Sequence, residues 1–473
     1  MARNINSTNL VEAIINRIST MIESATLKPG TRLQSIREAA KENGVSKNTM
    51  AEAYDRLVGI GYLRAKQGAG YFVIGSCRNI VPESIPQQNE AISVISLLRQ
   101  QLGRTYKVPI GDGRLPYSWI EDSEVAAFFR SPKSLRDTNL RDGYGSPMGY
   151  TPLRERITVL LSERSIHAEP SQILLTNGAN HAMDLIIRHM LVPGDVVFVD
   201  EPGYYPLFGK LKLSNVKIVG IKRLADGPDP NDFAQKANIH KPKIFFTQSL
   251  AHNPTGGSTS IATAHQILML AEKHNILVVE DDPFADVLPP STPRLAALDQ
   301  FNRVLYIGTF SKTLSANLRV GYVAGNRDLI AALCDLKMLT VVSSSEFGER
   351  LVYNLMVNGH YVRHLRRLKK RTDKARNQAL IDLESIGAEI IVPPTGGYYI
   401  WIKSPQEDDE YQLVQSAMER GIFLAPGSVF TLEETISPCA MRLNIAHASN
   451  LDFLEFMADH LKNPLLRIEE GDK

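Results

Sequence analysis

Cysteine is scarce in this chain of 473 residues: Cys77, Cys334 and Cys439 are odd in number and far apart. That excludes a disulfide framework and a cysteine-based zinc site, so no metal is expected and a reducing, cytoplasmic setting is the simplest one. Uninterrupted apolar stretches of about 18 residues are missing, which argues against a membrane-spanning helix and a membrane partner. The opening Met1–Thr8 has no apolar core of the kind an export signal needs. A large charge of one sign is also missing: 53 Lys and Arg face 51 Asp and Glu, a net of +2. There is no internal repeat and no low-complexity tract. What remains is an ordinary globular balance, 43% hydrophobic and 22% charged. The chain is too long for one core, so two or three domains are expected.

The small net charge conceals an asymmetry. Residues 1–75 carry ten Lys and Arg against six Asp and Glu, while the rest is slightly acidic. A nucleic-acid contact confined to the N-terminal end follows from that distribution. Leu10, Val11, Ile14, Ile15, Ile18 and Ile22 recur at helical spacing. Ser35-Ile36-Arg37-Glu38 reads as a capping box opening a second helix, which Asn43-Gly44 stops. Ser46 caps a third, with Met50, Tyr54 and Leu57 on one face. Tyr62–Arg64 and Tyr71–Val73 then flank Ala65–Gly70, a hairpin with a glycine-rich basic tip. Helix, helix, turn, helix and hairpin describe a winged helix-turn-helix over residues 1–75. The leading end of its third helix, Ser46-Lys47-Asn48-Thr49, is expected in the major groove. Arg32, Ser35 and Arg37 are candidates for phosphate, and Lys66 and Gln67 for the minor groove. Residues 76–105, with Pro82 and Pro86, read as a linker holding a short helix around Ala91–Leu102.

The stretch Pro29-Gly30-Thr31-Arg32-Leu33-Gln34-Ser35-Ile36-Arg37-Glu38-Ala39-Ala40 resembles the GntR family of bacterial regulators. Val45–Thr49, Gly61–Leu63 and Gly68–Val73 continue the likeness, which covers nearly all of residues 8–75. It departs at Gln34, where that family usually has proline.

From about residue 106 the pattern changes. Val196–Asp200, Lys243–Thr247, Ile276–Asp281 and Val304–Gly308 are short apolar runs separated by segments long enough for helices. Such runs belong to a mainly parallel sheet buried on both faces. Lys312 follows the last run, between Ser311 and Thr313, with Arg319 seven positions on. That arrangement suits a lysine carrying pyridoxal phosphate as a Schiff base. Such a cofactor needs a lysine for its aldehyde, a carboxylate for its pyridine nitrogen, donors for its ring hydroxyl and an anion site. Asp281, at the carboxyl end of a strand, is the candidate carboxylate. Asn253, at a rigid Asn-Pro corner, can donate to the hydroxyl. Gly178-Ala179-Asn180 opens a helix whose free amides suit a phosphate, and Thr309, Ser311 and Arg319 can complete the site. Tyr204 can stack on the ring.

Taken in order, Tyr144–Gly149, Thr176–Asn180, His252–Gly257, Glu280–Phe284, Ser311–Thr313 with Arg319, and Met441–Asn444 resemble the class I aminotransferases of fold type I. The resemblance implies that residues 106–473 form an α/β pyridoxal-phosphate-dependent transferase fold, with Lys312 as Schiff-base lysine and Asp281 as pyridinium partner. It further implies that Asn253 binds the ring hydroxyl, Tyr204 stacks, Arg319 binds phosphate and Arg442 grips a carboxylate. Tyr144 would reach the phosphate of a neighbouring subunit, implying a homodimer. One departure is Phe284, where the family usually has a tyrosine whose hydroxyl meets the ring oxygen; its loss removes roughly 1.5–3 kcal/mol.

The two halves together resemble the MocR (GabR-like) subfamily of GntR regulators. That implies a head-to-tail homodimer binding promoter DNA. Its aminotransferase-like domain would sense an amino acid, an amine or a B6 vitamer, giving a change of shape in place of net turnover. A working aminotransferase with a regulatory small domain is the alternative, against which Phe284 argues. A sensor of the cofactor alone is a third reading, against which Arg442 argues.

Overall fold

The computed structural model describes residues 4–23, 26–66, 69–74, 106–121, 143–405, 410–432 and 439–461. The expected linker, residues 76–105, lies outside them, as do Gln67, Gly68 and Cys77. The chain divides into two compact units, Met1–Ile85 and Pro86–Lys473.

In the first unit, helices α1 (Asn4–Glu23), α2 (Ile36–Glu42) and α3 (Lys47–Gly59) precede strands β1 (Leu63–Lys66) and β2 (Gly70–Val73). The first helix begins earlier than its apolar stripe. The stripe packs as its period requires: Val11, Ile14, Ile15 and Ile18 meet Ala39, Met50, Ala53, Tyr54 and Leu57 in one small core. The capping box forms in full: the Ser35 hydroxyl accepts from the Glu38 amide, and the Glu38 carboxylate accepts from the Ser35 amide. Ser46 caps α3 through the Thr49 amide at 3.1 Å. The hairpin tip is shorter than expected, because Lys66 and Gly70 pair within the antiparallel ladder. A third edge joins it. The amide of Leu33 donates to the Tyr71 carbonyl, and that of Val73 to the Thr31 carbonyl, both at 2.9 Å. Arg32 therefore sits on the rim of the wing, bridged to Phe72.

The second unit is built on an eight-stranded sheet in the order β3-β10-β9-β8-β7-β4-β5-β6. Its strands are β3 (Ile173–Thr176), β4 (Val196–Glu201), β5 (Lys217–Leu224), β6 (Gly227–Pro228), β7 (Ile244–Thr247), β8 (Leu277–Asp282), β9 (Val304–Thr309) and β10 (Gly321–Ala324). The five central strands β9, β8, β7, β4 and β5 run parallel, while β10 and β6 are antiparallel to their neighbours. Successive side chains of a strand point to opposite faces, and here both faces are buried. Phe198, Phe245, Val278 and Tyr306 face one core, and Val197, Val199, Phe246, Val279, Leu305 and Ile307 the other. That is why these strands read as continuous apolar runs. A second, antiparallel sheet follows in the order β11-β12-β14-β13: β11 (Ile390–Val392), β12 (Tyr399–Lys403), β13 (Ala425–Pro426) and β14 (Ala440–Asn444).

Candidate functional site

On the first unit, the leading end of α3 carries exposed Lys47 and Asn48, with Thr49 partly covered. Arg32, Arg37 and Lys66 are exposed too, and the Lys66 amine lies 4.9 Å from the centre of the Phe72 ring. Three of the expected contacts are already engaged within the unit. The Ser35 hydroxyl bonds the Glu38 carboxylate at 2.8 Å, and the Ser46 and Thr49 hydroxyls bond each other at 2.8 Å. Lys47, Asn48, Arg32, Arg37 and Lys66 are the groups left facing outward. Gln34, which replaces the usual proline, is exposed, and its carbonyl accepts from the Tyr54 hydroxyl.

In the second unit, the carboxyl ends of the parallel strands open into a cleft of about 760 Å3. Asp281, Asn253, Tyr204, Asn180, Ala179, Thr309, Ser311, Lys312, Arg319 and Arg442 all line it, although they span more than 260 positions of sequence. Gly178 lies directly behind, as the N-cap of the helix Ala179–Met190. Tyr144 does not enter the cleft; it is 85% exposed.

The acidic run at the end of β8 shows how the sheet selects one carboxylate. Strand alternation sends Glu280 and Asp282 one way and Asp281 the other. Glu280 accepts from the Ser249 hydroxyl and from the amides of Leu295 and Ala296, at 2.9 and 2.8 Å. Asp282 pairs with Arg294 at 2.7 Å and accepts from the Tyr306 hydroxyl at 2.8 Å. Both are engaged away from the cleft, although Asp282 Oδ1 is also buried without a partner; of the three carboxylates only Asp281 lines the cleft. Asp281 faces the cleft with Oδ2 held by the Gln248 amide at 2.6 Å, while Oδ1 has no partner although it is buried. Burial pushes its carboxyl up to about 7, opposed by the Gln248 bond and by Lys312. A buried carboxylate oxygen facing into a cleft without a partner suits a cationic ring nitrogen.

The other provisions fit in the same way. Arg442, 2% exposed, gives one Nη to Asn253 Oδ1 at 2.8 Å and the other to the Gly111 carbonyl at 2.6 Å. Holding Oδ1 leaves the Asn253 Nδ2 to donate. The Arg442 Nε is buried with no partner; among the described residues the guanidinium stacks on the Tyr399 and Phe430 rings, at 4.6 and 5.0 Å, and pairs with no carboxylate. Arg442 therefore has no structural ion pair to explain its burial. Gly178 adopts φ +78, where a Cβ would come within 2.7 Å of the Arg319 guanidinium, so glycine lets arginine and helix N-terminus close on one anion. Thr309 and Ser311 hydroxyls, 3.1 Å apart, complete that corner. The residues present thus fit pyridoxal phosphate.

Four contributors were not legible in the sequence. Gln248 ties Asp281 to the Asn253 amide, at 2.6 and 2.9 Å. Its one signal was a polar residue just past a strand end. The Gly111 and Gly113 carbonyls accept from Arg442 and from the Lys312 amine, each at 2.6 Å. The Tyr399 hydroxyl lies 3.5 Å from that amine.

The position of Asp281 gives a first expected result. Its carboxyl must be ionised to meet a cationic ring, and its value of about 7 without one means that binding costs a proton below that pH. Cofactor affinity should be full above about pH 7 and fall as pH drops through it. Fluorescence titration at several pH values measures this. Asp281→Asn should weaken binding and flatten the dependence.

The family described as "Aminotransferase class I and II" matches residues 111–457, and "Bacterial regulatory proteins, gntR family" matches residues 10–73. The chain is 27% identical to the HTH-type transcriptional regulator YdfD of Bacillus subtilis over 452 residues, 92% of each chain. It is 24% identical to the HTH-type transcriptional regulator NorG of Staphylococcus aureus, over 89% of this chain and 96% of that one. Among solved structures, kynurenine aminotransferase of Pyrococcus horikoshii superposes with a TM-score of 0.72 at 24% identity, covering 82% of this chain and 99% of that one. LysN, the α-aminoadipate aminotransferase of Thermus thermophilus, gives 0.70 at 22%, covering 79% and 96%. These likenesses establish a fold-type I architecture. Among the described residues, no helix is long and apolar enough to cross a membrane.

Proposed function

The chain belongs to the class I and II aminotransferase family, joined to a GntR-type DNA-binding module, and we propose that it is a transcription regulator whose aminotransferase-like domain binds pyridoxal phosphate and reads a small amine or amino acid. The observation that carries this reading is the coexistence in one chain of an outward-facing recognition helix and a cleft with a lysine, an unpartnered buried carboxylate oxygen and a buried arginine. The functional boundaries we propose are residues 1–75 for the DNA-binding domain, 76–105 for a linker and 106–473 for the effector domain.

When bound, the cofactor supplies an aldehyde that condenses with amines and a ring that withdraws electrons. The protein's own groups do the rest. Lys312 supplies the amine, Asp281 holds the proton on the ring nitrogen, Asn253 donates to the ring hydroxyl, and Arg319 with the Gly178–Asn180 turn holds the phosphate. Tyr204, which lines the cleft, would stack on the ring; burial, and then the nearby Asp281, keep its hydroxyl protonated. Arg442 takes the carboxylate of an amino-acid effector, which must compete with the Gly111 carbonyl for the same guanidinium. Lys312 likewise bonds the Gly113 carbonyl. Ligand in the cleft would therefore change the partners of the loop 111–113, which lies within residues 106–121. An effector can shift DNA binding only through such differential contacts.

A homodimer completes the proposal. Tyr144 is exposed, and Gly145 beside it lies against the Glu346 side chain, whose carboxylate is 2.6 Å from where a Cβ would stand. Exposed Leu339, Val341, Val342 and Phe347 cluster in sequence around that same segment. Several exposed apolar side chains in one short stretch suit a second copy, and in such a dimer Tyr144 would reach the partner's phosphate site. The resemblance to the MocR subfamily favours a head-to-tail arrangement.

Fluorescence anisotropy of promoter DNA, read at two chains per duplex and with a panel of amino acids, amines and B6 vitamers, tests the reading. An affinity that responds to no amine in the cofactor-loaded protein contradicts it. Sustained keto-acid production from an amino acid and an acceptor would favour the enzyme instead. In the same assay Lys47→Ala should cost about 1–3 kcal/mol if Lys47 meets a base edge. If it meets a phosphate, the salt slope should fall by about 1.

A further inference from the structure

Between positions 360 and 381 the chain carries eight Lys and Arg against one Asp, a local net of +7. The whole chain sums to +2, so everything outside this stretch sums to −5. Residues 1–75, with ten Lys and Arg against six Asp and Glu, are more weakly basic than this one stretch. It lies in a 26-residue helix, His360–Ser385. One face of that helix is buried, through Tyr361, His364, Leu368, Thr372, Ala379 and Leu383. Arg363, Arg366, Arg367, Lys369, Lys370 and Lys374 are exposed. Arg366, Lys370 and Lys374 fall four positions apart and so form a row about 12 Å long. Two other cations of the helix are engaged locally: Arg376 pairs with Asp373 at 2.7 Å, and Arg371 donates to the Ser118 carbonyl at 3.3 Å. Arg366, Lys369, Lys370 and Lys374 pair with no carboxylate among the described residues. Like charges four positions apart destabilise a helix, and a merely solvated face would mix the two signs. Helix stability therefore does not explain the row.

We propose that the exposed face of this helix is a second DNA-binding surface, which grips the phosphate backbone of the duplex and reads no sequence. The proposal rests on the regulator reading above and goes beyond it, since the charge of residues 1–75 placed the nucleic-acid contact at the N-terminal end alone. Double-stranded DNA carries one negative charge per about 1.7 Å of its axis, so a cationic row of this length meets several phosphates. Exposed, unpaired lysine and arginine heads break no ion pair on meeting them, and the condensed counterions are released. Both surfaces belong to one chain, so a duplex held by α3 is at high effective concentration for the second. The buried side of the same helix touches the turn that carries Lys312. The Tyr361 and Thr313 hydroxyls lie 3.0 Å apart, and His364 Nε2 is 2.7 Å from the Thr313 carbonyl. A ligand that shifts that turn thereby acts on a helix that holds DNA.

The experiment measures the affinity of the full-length protein for a long mixed-sequence duplex and for promoter DNA over a range of salt. One variant combines Arg366→Gln, Lys369→Gln, Lys370→Gln and Lys374→Gln. The slope of log affinity against log salt should become shallower by about 2–3, each lost phosphate contact accounting for about 0.9. The change should be equal on both duplexes, because phosphate contacts carry no sequence information. An unchanged slope on both, in a variant that melts like the wild type, overturns the proposal and leaves the regulator reading standing. A wild type that binds neither duplex overturns both. If the fourfold variant fails to fold, Lys370→Glu alone should still make the slope shallower by about 1, and no change there overturns the proposal as well. Vesicles containing phosphatidylserine supply the remaining arm: wild-type binding that the variant loses, with the DNA slope unchanged, would assign the face to an anionic membrane and overturn the DNA contact.

Discussion

Lys312→Ala should abolish the visible band that pyridoxal phosphate gives the wild-type protein, and with it the response of DNA binding to any amine. The lysine lies in a cleft whose other groups can hold the cofactor but cannot bond its aldehyde. The unpartnered Oδ1 of Asp281, the free Nδ2 of Asn253 and the Arg319 corner all survive the substitution. Weak, non-covalent cofactor binding should therefore remain. Borohydride reduction followed by mass spectrometry separates the two: a covalent adduct at residue 312 in the wild type, none in the variant. An adduct on another lysine of the wild type would remove Lys312 from its proposed role. Lys337 is the instructive comparison. It is fully buried and pushed down to about 8 by burial, yet its amine is spent on the Pro147 and Leu175 carbonyls and on Ser344, so it has no access to the cleft.

Arg442→Ala should have the second largest effect. Hydrogen bonds to a charged group contribute about 1.5–3 kcal/mol, so the affinity for an amino-acid effector should fall about 10- to 150-fold. Amines without a carboxylate should lose far less, which separates the clamp from general damage. Removal of the guanidinium also strips Asn253 Oδ1 and the Gly111 carbonyl of their donor, so cofactor affinity should drop modestly. Arg442→Lys keeps the charge but not the fork, and should recover little of the lost affinity. Calorimetric titration with paired amino acids and decarboxylated amines measures both effects. Equal losses for the two ligand classes would contradict the carboxylate role.

The competition proposed at Arg442 would bear on regulation. Its guanidinium and the Lys312 amine hold two carbonyls of one short loop, and Asn444 holds two more, those of Asp112 and Arg114, at 2.8 and 2.6 Å. Four anchors within four residues make that loop a single unit. A ligand that takes two of the anchors alters it in one step, which is the kind of discrete change that a population shift requires.

Much of this was legible along the chain. The Ser35–Glu38 box, the Ser46 cap and the apolar stripe of α1 are local patterns, since caps and helical faces involve residues within four positions of each other. The parallel strands announced themselves because burial on both faces leaves no polar alternation. The order of motifs from Tyr144 to Arg442 was enough to identify the fold and to nominate Lys312, Asp281, Asn253 and Arg319. Tertiary structure alone decided the remainder. Alternation along β8 made Asp281 the cleft acid while Glu280 and Asp282 were spent on Ser249 and Arg294. The return of β12 across the cleft brought the Tyr399 hydroxyl to Lys312, 87 residues away, and Gly113 to the same amine across 199 residues. Such contacts leave no periodic trace, because nothing in a local stretch of sequence records which distant strand will pack against it. The sequence by itself therefore determined which elements form and which chemistry is present. How the buried polar groups pair was settled by the way the chain closes on itself.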